Sequence, residues 1–320
     1  MQLPSVAVMS ATETSSAAVQ KNGKETAQGS FLKYTTHKFL KQFVCNRLHV
    51  QSAILIRHPH QPIQPVSLPK MPSINQLFYS GTSGLDLPVP RSQYPAEFQG
   101  KSRLQYYASL FNSIEINSIF YKLPRNSTVV NWAESVPVNF RFTFKVSKTI
   151  THAKGLQFAI KDVQDFMKSV ENIGEKKGCL LAQFPPSLKI EKLDQLQRLL
   201  ETLGEATQNS GWKLAIEFRD PSWYEREVNE LLQEYDAAMV IQDIPKSATP
   251  LSYVRGDFIY LRFHGPEPRY RGDYSDEFLR QYAQYIKTWI SEKKTVYAYF
   301  NNTVGAAVEN LQTLNKYVQS

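Results

Sequence analysis

Charged side chains recur at alternate positions near the ends of several apolar runs in this chain. Glu217 and Arg219 stand two residues apart, Arg262 and His264 repeat that spacing, and Lys145 closes another run. A carboxylate or an imidazole can transfer protons, whereas arginine and lysine bind anions such as phosphate. These residue types predict acid–base chemistry on a small, negatively charged molecule.

The spacing of these residues indicates which elements must position them. Successive side chains of a β-strand point to opposite faces, so residues two apart share a face. Eight runs have an apolar and a polar face or a similar strand-like pattern, at 77–82, 113–117, 141–145, 179–184, 214–219, 237–243, 259–264 and 296–301. Strands alternating with helices in this number predict an α/β fold, a closed (β/α)8 TIM barrel over residues 74–320.

Apolar residues spaced three and four apart predict the helices between the strands. They are expected at 101–112, from about 129, and at 158–173, 190–203, 225–235, 276–290 and 304–318. Asn126, Ser127 and Thr128 offer capping side chains for the second of these helices. The sixth connection, 245–256, is too short and too rich in proline for a full helix.

If the apolar face packs under the helices, the polar face lines the barrel interior. The residues then expected inside are Glu115, Asn117, Arg141, Thr143, Lys145, Gln183, Glu217, Arg219, Tyr260, Arg262, His264, Tyr297, Tyr299 and Asn301, with Asp243 ending the sixth strand. Bulky aliphatic residues usually fill these places. The charged set therefore predicts a polar pocket at the carboxyl ends of the strands; the alternative is mutual neutralisation in buried ion pairs.

Three residues are the candidates for catalysis. Glu217 is the predicted general base, because burial raises the pKa of a carboxylate unless a cation such as Arg219 holds it down. His264 would assist proton transfer, and Lys145 is either a Schiff-base nucleophile or an ammonium that binds an anion. The candidate ligand-binding residues are Glu115, Asn117, Gln183, Arg219, Asp243, Arg262, Tyr299 and Asn301.

A metal site is a separate hypothesis. Glu217, Asp243 and His264 end three successive strands and offer the oxygen and nitrogen ligands of a single divalent cation. Only His152 and His264 of the six histidines lie in the barrel segment, which excludes a His-rich trinuclear site. The cofactor therefore stays open, with one divalent metal possible.

The net charge of +8 is concentrated before the barrel. Residues 1–70 hold eight lysines and arginines against Glu13 and Glu25, a balance of +6 that leaves +2 for the other 250 residues. This weakens the argument for nucleic-acid binding. Residues 1–73 are predicted to be a disordered or targeting-like basic extension, with a mis-assigned start upstream of Met71 as a further reading.

The sequence also predicts a protein that does not span a membrane, because no apolar run approaches about 18 residues. Its two cysteines offer no disulfide framework, which suits a reducing compartment. We expect a cytoplasmic location, or an organellar one if residues 1–70 act as a transit peptide.

Several motifs together resemble the YecE-like family of (β/α)8 barrels over about residues 77–319. They are Gly81-Thr82-Ser83-Gly84, Glu115-Ile116-Asn117-Ser118, Phe120-Tyr121, Leu123-Pro124, Thr151-His152, Gln183-Phe184-Pro185-Pro186, Glu217-Phe218-Arg219, Pro221-Ser222-Trp223, Asp243, Arg262-Phe263-His264-Gly265 and Tyr299-Phe300-Asn301-Asn302. The chain departs from the pattern at 85–88 and at Thr303. The resemblance implies the fold and a polar pocket at the strand carboxyl ends, and it carries no established reaction.

Three functions follow as hypotheses. The first is an enzyme, a hydrolase or isomerase, that uses acid–base chemistry on a small anionic ligand, phosphorylated or polyhydroxylated. The second is a nucleic-acid-binding or metal-dependent nuclease-like barrel, which the nearly neutral barrel segment disfavours. The third is a non-catalytic ligand sensor. The sequence does not determine the oligomeric state.

Overall fold

A computed structural model describes residues 77–85 and 87–320. The predicted extension, residues 1–73, lies outside the described residues. No helix in the described part of the chain is long and apolar enough to cross a membrane.

The described residues form nine short strands, all paired in parallel. They are β1 Phe78–Thr82, β2 Ser113–Ile116, β3 Arg141–Lys145, β4 Lys177–Gln183, β5 Lys213–Glu217, β6 Ala237–Met239, β7 Ile241–Gln242, β8 Phe258–Phe263 and β9 Thr295–Phe300. β6 and β7 are the two halves of one predicted strand, separated at Val240. The ring therefore has the eight strand positions that the alternating runs predict.

Helices follow most of the strands. They are α1 Arg103–Leu110, α2 Asn126–Glu134, α3 Lys148–Thr151, α4 Ile160–Val170, α5 Leu193–Thr207, α6 Arg226–Glu234, α7 Asp276–Ser291 and α8 Ala307–Gln319. The predicted helix positions are confirmed to within a few residues at their ends. The sixth connection holds only a 3₁₀ turn, Leu251–Tyr253, as its prolines predicted.

Two local predictions about helices differ from the structure. The N-cap of α2 is Arg125, without a capping side-chain hydrogen bond, so Asn126 begins the helix instead of capping it. The short helix α3 was not predicted. It begins at a Ser147 cap whose hydroxyl accepts the N–H of Thr149, a hydrogen bond that a single short turn needs because it has few internal ones.

The strands follow the circular order of a barrel. β2, β3, β4, β5 and β6 pair in chain order in one sheet, and β1, β9, β8 and β7 pair in that order in a second sheet. At one junction Gly84 N–H donates to the Glu115 carbonyl over 2.7 Å, and at the other Val240 N–H donates to the Ile216 carbonyl over 2.8 Å. Because all strands run in the same direction, their carboxyl ends meet at one mouth of the barrel.

The predicted division of each strand into two faces is confirmed. Outward residues such as Phe144, Leu261 and Val296 are fully buried in the main core together with helix residues such as Leu199 and Leu311. A smaller apolar cluster fills the middle of the lumen and comprises Cys179, Leu181, Ala215, Ala238, Val240, Phe258, Tyr260, Tyr297 and Tyr299. The charged inward residues thus lie towards the two mouths, above and below this cluster.

Candidate functional site

Arg262, from β8, is the centre of a buried network at the carboxyl ends of the strands. Its Nε and Nη2 donate to the Glu115 carboxylate at 2.7–3.2 Å, and its Nη1 donates to Glu217 Oε2 over 2.9 Å. Arg262 and both carboxylates are buried, with no more than 2% of any of them exposed. A buried charge is stable only when it is paired and hydrogen-bonded, and this bridge satisfies one arginine and two carboxylates together.

Two further groups complete the hydrogen bonds of the carboxylates. Tyr260 O–H donates to Glu115 Oε2 over 2.6 Å, and Arg219 Nε donates to Glu217 Oε1. His264 Nε2 lies 3.2 Å from the same Glu217 oxygen. The predicted alternative of mutual pairing therefore holds for these two glutamates, and we refer to Glu115, Glu217, Arg219, Tyr260 and Arg262 as the ion-pair network.

Pairing with two arginines sets the direction of the Glu217 pKa shift. Burial raises this pKa, but the charges of Arg219 and Arg262 and the contact with His264 lower it by more. The pKa of Glu217 therefore lies well below its usual range. Burial likewise raises the pKa of Glu115 while Arg262 and Tyr260 lower it, and the net shift is downward. Both groups are ionised near neutral pH, and a carboxylate held this strongly is a poor general base. The general-base role of Glu217 stays a prediction, which these pairings and the lowered pKa disfavour.

His264 is fixed through both ring nitrogens. Asn301 Nδ2 lies 2.9 Å from Nδ1, while Nε2 faces Glu217 and, at 3.3 Å, Arg219 Nη2. This arrangement fits a neutral imidazole that accepts from Asn301 and donates to Glu217. Burial lowers the pKa of His264 to about 4, despite the opposing effect of Glu217. His264 is therefore neutral at pH 7.

Lys145 ends β3 and differs from the other cations of the site. It forms no ion pair with any described residue, and its Nζ lies 4.2 Å from the centroid of the Phe120 ring. Burial and the charge of Arg262 lower its pKa to about 8, although Glu217 and Glu115 act in the opposite direction. The two arginines neutralise the two glutamates, so the positive charge of Lys145 is in excess.

His152, at the end of α3, was not among the predicted site residues. Its ring packs edge-on against Phe120 with centroids 5.0 Å apart, and its pKa is lowered by burial and by the charges of Lys145 and Arg219. Its Nδ1 lies 3.0 Å from the Thr151 hydroxyl. The Thr151-His152 pair contributed to the family resemblance, and that was the one signal that could have identified it.

The other predicted ligand-binding residues lie at different depths. Asp243 accepts the backbone N–H of His264 over 2.7 Å and the hydroxyl of Tyr274, so it holds the backbone of His264 in place. Tyr299 lies fully buried and contacts the Ser113 and Thr143 hydroxyls at 2.6 and 2.8 Å. Gln183 donates to the Phe184 carbonyl over 2.6 Å. Their assignment as ligand-binding residues stays a prediction.

Asn117 ends β2 and is half-buried. Its Oδ1 is buried and has no hydrogen-bond partner among the described residues. This leaves an acceptor at the strand end that a bound group could satisfy.

The three candidate metal ligands are not assembled into one set. Asp243 is engaged with the His264 backbone and Tyr274, whereas Glu217 is occupied by arginines. Within the residues that the structure describes, no group of three or more His, Cys, Asp or Glu side chains is placed to hold a metal ion. The single-metal hypothesis stays a prediction, and in this structure the carboxylates of Glu217 and Asp243 bind protein groups.

Aromatic side chains form the rim of this mouth. Tyr270 is 41% exposed and lies against His264 with ring centroids 5.6 Å apart. Arg269 and Tyr270 both have left-handed backbone, with φ of 65° and 63°. Two consecutive non-glycine residues in this conformation are unusual and cluster at functional loops. Tyr121 is 71% exposed, and Lys148 Nζ lies 5.6 Å from its ring centroid.

The fold and the site define a class of protein, a (β/α)8 barrel with a charged, internally paired cluster at the carboxyl ends of its strands. The chain belongs to the family described as "Protein of unknown function DUF72", whose family model matches residues 79–320. This confirms the YecE-like resemblance seen in the sequence motifs.

Curated relatives and solved structures agree with this assignment. The chain is 29% identical over 150 residues to the UPF0759 protein YecE of Escherichia coli K12, a match that spans 45% of this chain and only 53% of YecE. It is 25% identical over 246 residues to the UPF0759 protein YunF of Bacillus subtilis, with 67% and 85% of the two chains covered. The crystal structure of a DUF72 family protein from Thermotoga maritima covers 76% of this chain and 100% of its own, with 27% identity and a TM-score of 0.61.

Proposed function

We propose that this barrel is an enzyme that binds a small anionic molecule at Lys145 and uses the Lys145 amine for proton transfer. The observation that carries the proposal is the state of Lys145, a half-buried cation without an ion pair among the described residues and with a pKa lowered to about 8. Lysines tuned towards neutrality by burial are suited to acid–base catalysis.

The surrounding charges favour an anionic ligand. Glu115 and Glu217 are neutralised by Arg262 and Arg219, so an added anion meets the net positive charge of Lys145. Arg219 is the more accessible of the two arginines, at 12% side-chain exposure against 2% for Arg262. Arg219 can therefore contribute a second positive group at the mouth, whereas Arg262 is committed to the network.

Neutral polar groups supply the means to orient such a ligand. Asn117 has an unpaired buried oxygen at the end of β2, and the His152 imidazole and the Lys145 ammonium both contact the Phe120 ring. A molecule with several hydroxyl groups beside its anionic group would satisfy these donors and acceptors. We therefore propose a phosphorylated, polyhydroxylated metabolite as the ligand class.

In this proposal the ion-pair network positions the site and does not exchange protons. Both glutamates have lowered pKa values and fully used oxygens, so they keep Arg219 and His264 in place. The chemistry falls to Lys145, in an isomerase or hydrolase reaction that begins with proton transfer. A cytoplasmic location remains a prediction compatible with this ligand class.

The test uses the full-length chain and pairs of sugars with and without a phosphate group. Affinity is measured by calorimetry, and proton transfer by proton NMR in D2O, where abstraction next to a carbonyl replaces hydrogen by deuterium. We expect binding of the phosphorylated member of at least one pair, with exchange that Lys145→Met abolishes. Lys168→Met, which removes an exposed lysine from α4, serves as the matched control.

Two outcomes would count against the proposal. Equal affinity for the sugar and its phosphate would show that the anion is not recognised. Binding with no exchange in any pair, and with Lys145→Met unchanged, would make the barrel a ligand sensor that does not depend on this lysine.

A further inference from the structure

A positively charged cavity lies at the amino-terminal mouth of the barrel, opposite the network around Arg262. Its volume is about 280 Å³, close to the lower limit of about 300 Å³ for small-molecule sites. Among the described residues its lining includes Tyr79, Arg141, Glu175, Lys177, Lys213 and Tyr297. None of these residues belongs to the network around Arg262.

The cations of this cavity occupy equivalent places in the fold. Arg141, Lys177 and Lys213 are the first residues of β3, β4 and β5, three adjacent strands of the ring. Each shares its face with residues that line the lumen, Thr143 after Arg141, Cys179 after Lys177 and Ala215 after Lys213. The strand geometry therefore directs three positive side chains into one space.

These cations lack negative partners among the described residues. None of the three forms an ion pair with a described residue, and the cavity wall holds only the exposed Glu175 as an acid. The wall therefore carries a formal charge of about +2. Three half-buried cations around one cavity repel one another, and an anion placed between them would remove that repulsion.

The side chains are also held in position to meet a ligand. Arg141 Nη1 donates to the carbonyls of Val138 and Phe140, each over 3.1 Å, and its guanidinium lies 5.5 Å from the Tyr79 ring centroid. Lys213 Nζ lies 5.0 Å from the ring centroid of Phe258. Fixed cations lose less conformational freedom on binding than free surface lysines do.

Tyr297 adds a hydroxyl donor to the same cavity. Tyr297 lines the cavity, and its ring is stacked on Tyr79 with centroids 5.1 Å apart. The stacking fixes the direction of the ring, so its hydroxyl can donate to an oxygen atom of a bound group.

We infer that the amino-terminal mouth of the barrel is a second anion site, which binds a phosphate group through Arg141, Lys177 and Lys213 and the hydroxyl of Tyr297. The site does not depend on the proposed function of Lys145, because the two groups of residues lie at opposite ends of the strands. Its size and charge suit a small phosphorylated effector.

The test measures inorganic phosphate binding by calorimetry on the full chain at low ionic strength, in a Lys145→Met background that removes the proposed carboxyl-end site. We expect one phosphate per chain and an affinity at least about tenfold weaker once Lys177→Met and Lys213→Met are added. Addition of Lys168→Met instead should leave the affinity unchanged. Phosphate binding should weaken with added sodium chloride, since the cations are partly screened.

The possible outcomes are distinct. Phosphate binding in the Lys145→Met protein that survives the Lys177→Met and Lys213→Met changes would overturn the inference, and so would the absence of binding in that background. Lys177→Gln with Lys213→Gln is the second variant pair, in case the methionine pair does not fold by circular dichroism. Loss of sugar-phosphate binding by Lys145→Met alone tests the carboxyl-end site separately, so that either site can fail without the other.

Discussion

Arg262 Nη1 donates to Glu217 Oε2 over 2.9 Å in the interior of the barrel, while the rest of the same guanidinium binds Glu115. One arginine from β8 thus joins β2 and β5 across the lumen. Removal of one partner of a buried ion pair destabilises a protein strongly, because the remaining charge stays buried and unpaired. Replacement of the whole pair by apolar residues often costs little.

Arg262→Met should therefore destabilise the fold by about 3–5 kcal/mol. Two buried carboxylates would lose a shared partner, and urea unfolding monitored by circular dichroism measures the loss. The addition of Glu115→Gln and Glu217→Gln to Arg262→Met should recover part of the stability, since the uncompensated charges are removed. A cost below about 1 kcal/mol for Arg262→Met would show that the bridge contributes little to stability.

The network should make the protein sensitive to acid. The pKa values of Glu115 and Glu217 are lowered from 4.5, and that of His264 is lowered from 6.5 to about 4. Between its folded and unfolded pKa each group binds more protons in the unfolded chain, so the free energy of unfolding falls as the pH falls. The decline should begin near pH 6.5 through His264 and steepen below pH 4.5 through the glutamates.

His264→Gln isolates the contribution of the imidazole. It should flatten the pH dependence of the free energy of unfolding between pH 6.5 and 4, a change of about 1–3 kcal/mol over that interval. Urea titrations at several pH values give the slope directly. An unchanged slope would mean that His264 does not have a lowered pKa in the folded protein.

Lys145 should lower the stability of the folded protein while it provides anion binding. Burial lowers the pKa of Lys145 from 10.5 to about 8, so the folded state disfavours its charged form. The resulting loss of stability is complete below about pH 8 and disappears as the pH rises from 8 to 10.5. Lys145→Met should raise the free energy of unfolding at pH 7 by about 1–3 kcal/mol while it abolishes anion binding. Lys168→Met should change neither quantity, and a destabilised Lys145→Met protein would contradict the account.

Asp243 should act as a support and not as a ligand-binding group. Its carboxylate accepts the His264 N–H and the Tyr274 hydroxyl. Asp243→Ala should cost about 1–3 kcal/mol, because the backbone N–H of His264 loses its acceptor. Asp243→Asn keeps one acceptor oxygen, so its affinity for the phosphorylated ligand should remain within about twofold of the wild type. A loss of affinity without loss of stability in Asp243→Asn would restore the ligand-binding role that the sequence suggested.

Alternation along the strands was sufficient to predict which residues face the lumen. Glu115, Glu217, Arg262 and His264 share the inward face because the side-chain period of a strand is two, and that rule needs no tertiary information. The same rule does not say how far along the barrel axis each of these side chains lies. It therefore grouped Arg141 with Lys145, although the first starts β3 at one mouth and the second ends it at the other.

The choice of partners was beyond the sequence for a physical reason. Glu217 could have bound a proton, a metal ion or a basic side chain. Which of these it binds depends on the distances across the barrel between β5 and β8. Those distances place Arg262 and Arg219 on its two oxygens, which lowers its pKa instead of leaving it raised by burial. Asp243 and His264 share a strand-end pattern with Glu217, yet a backbone N–H and the Tyr274 hydroxyl occupy Asp243.

The central claim is that Lys145, a cation with a pKa lowered to about 8, binds the anion. A titration of Lys145 tests this claim most directly. NMR of ¹³C-lysine-labelled full-length protein, with the Lys145 signal assigned by its loss in Lys145→Arg, would follow the Cε shift from pH 6 to 11. We predict a titration near pH 8 that moves upward when a saturating sugar phosphate is added, because the bound anion stabilises the ammonium. A titration near 10.5 that the anion does not move would contradict the account.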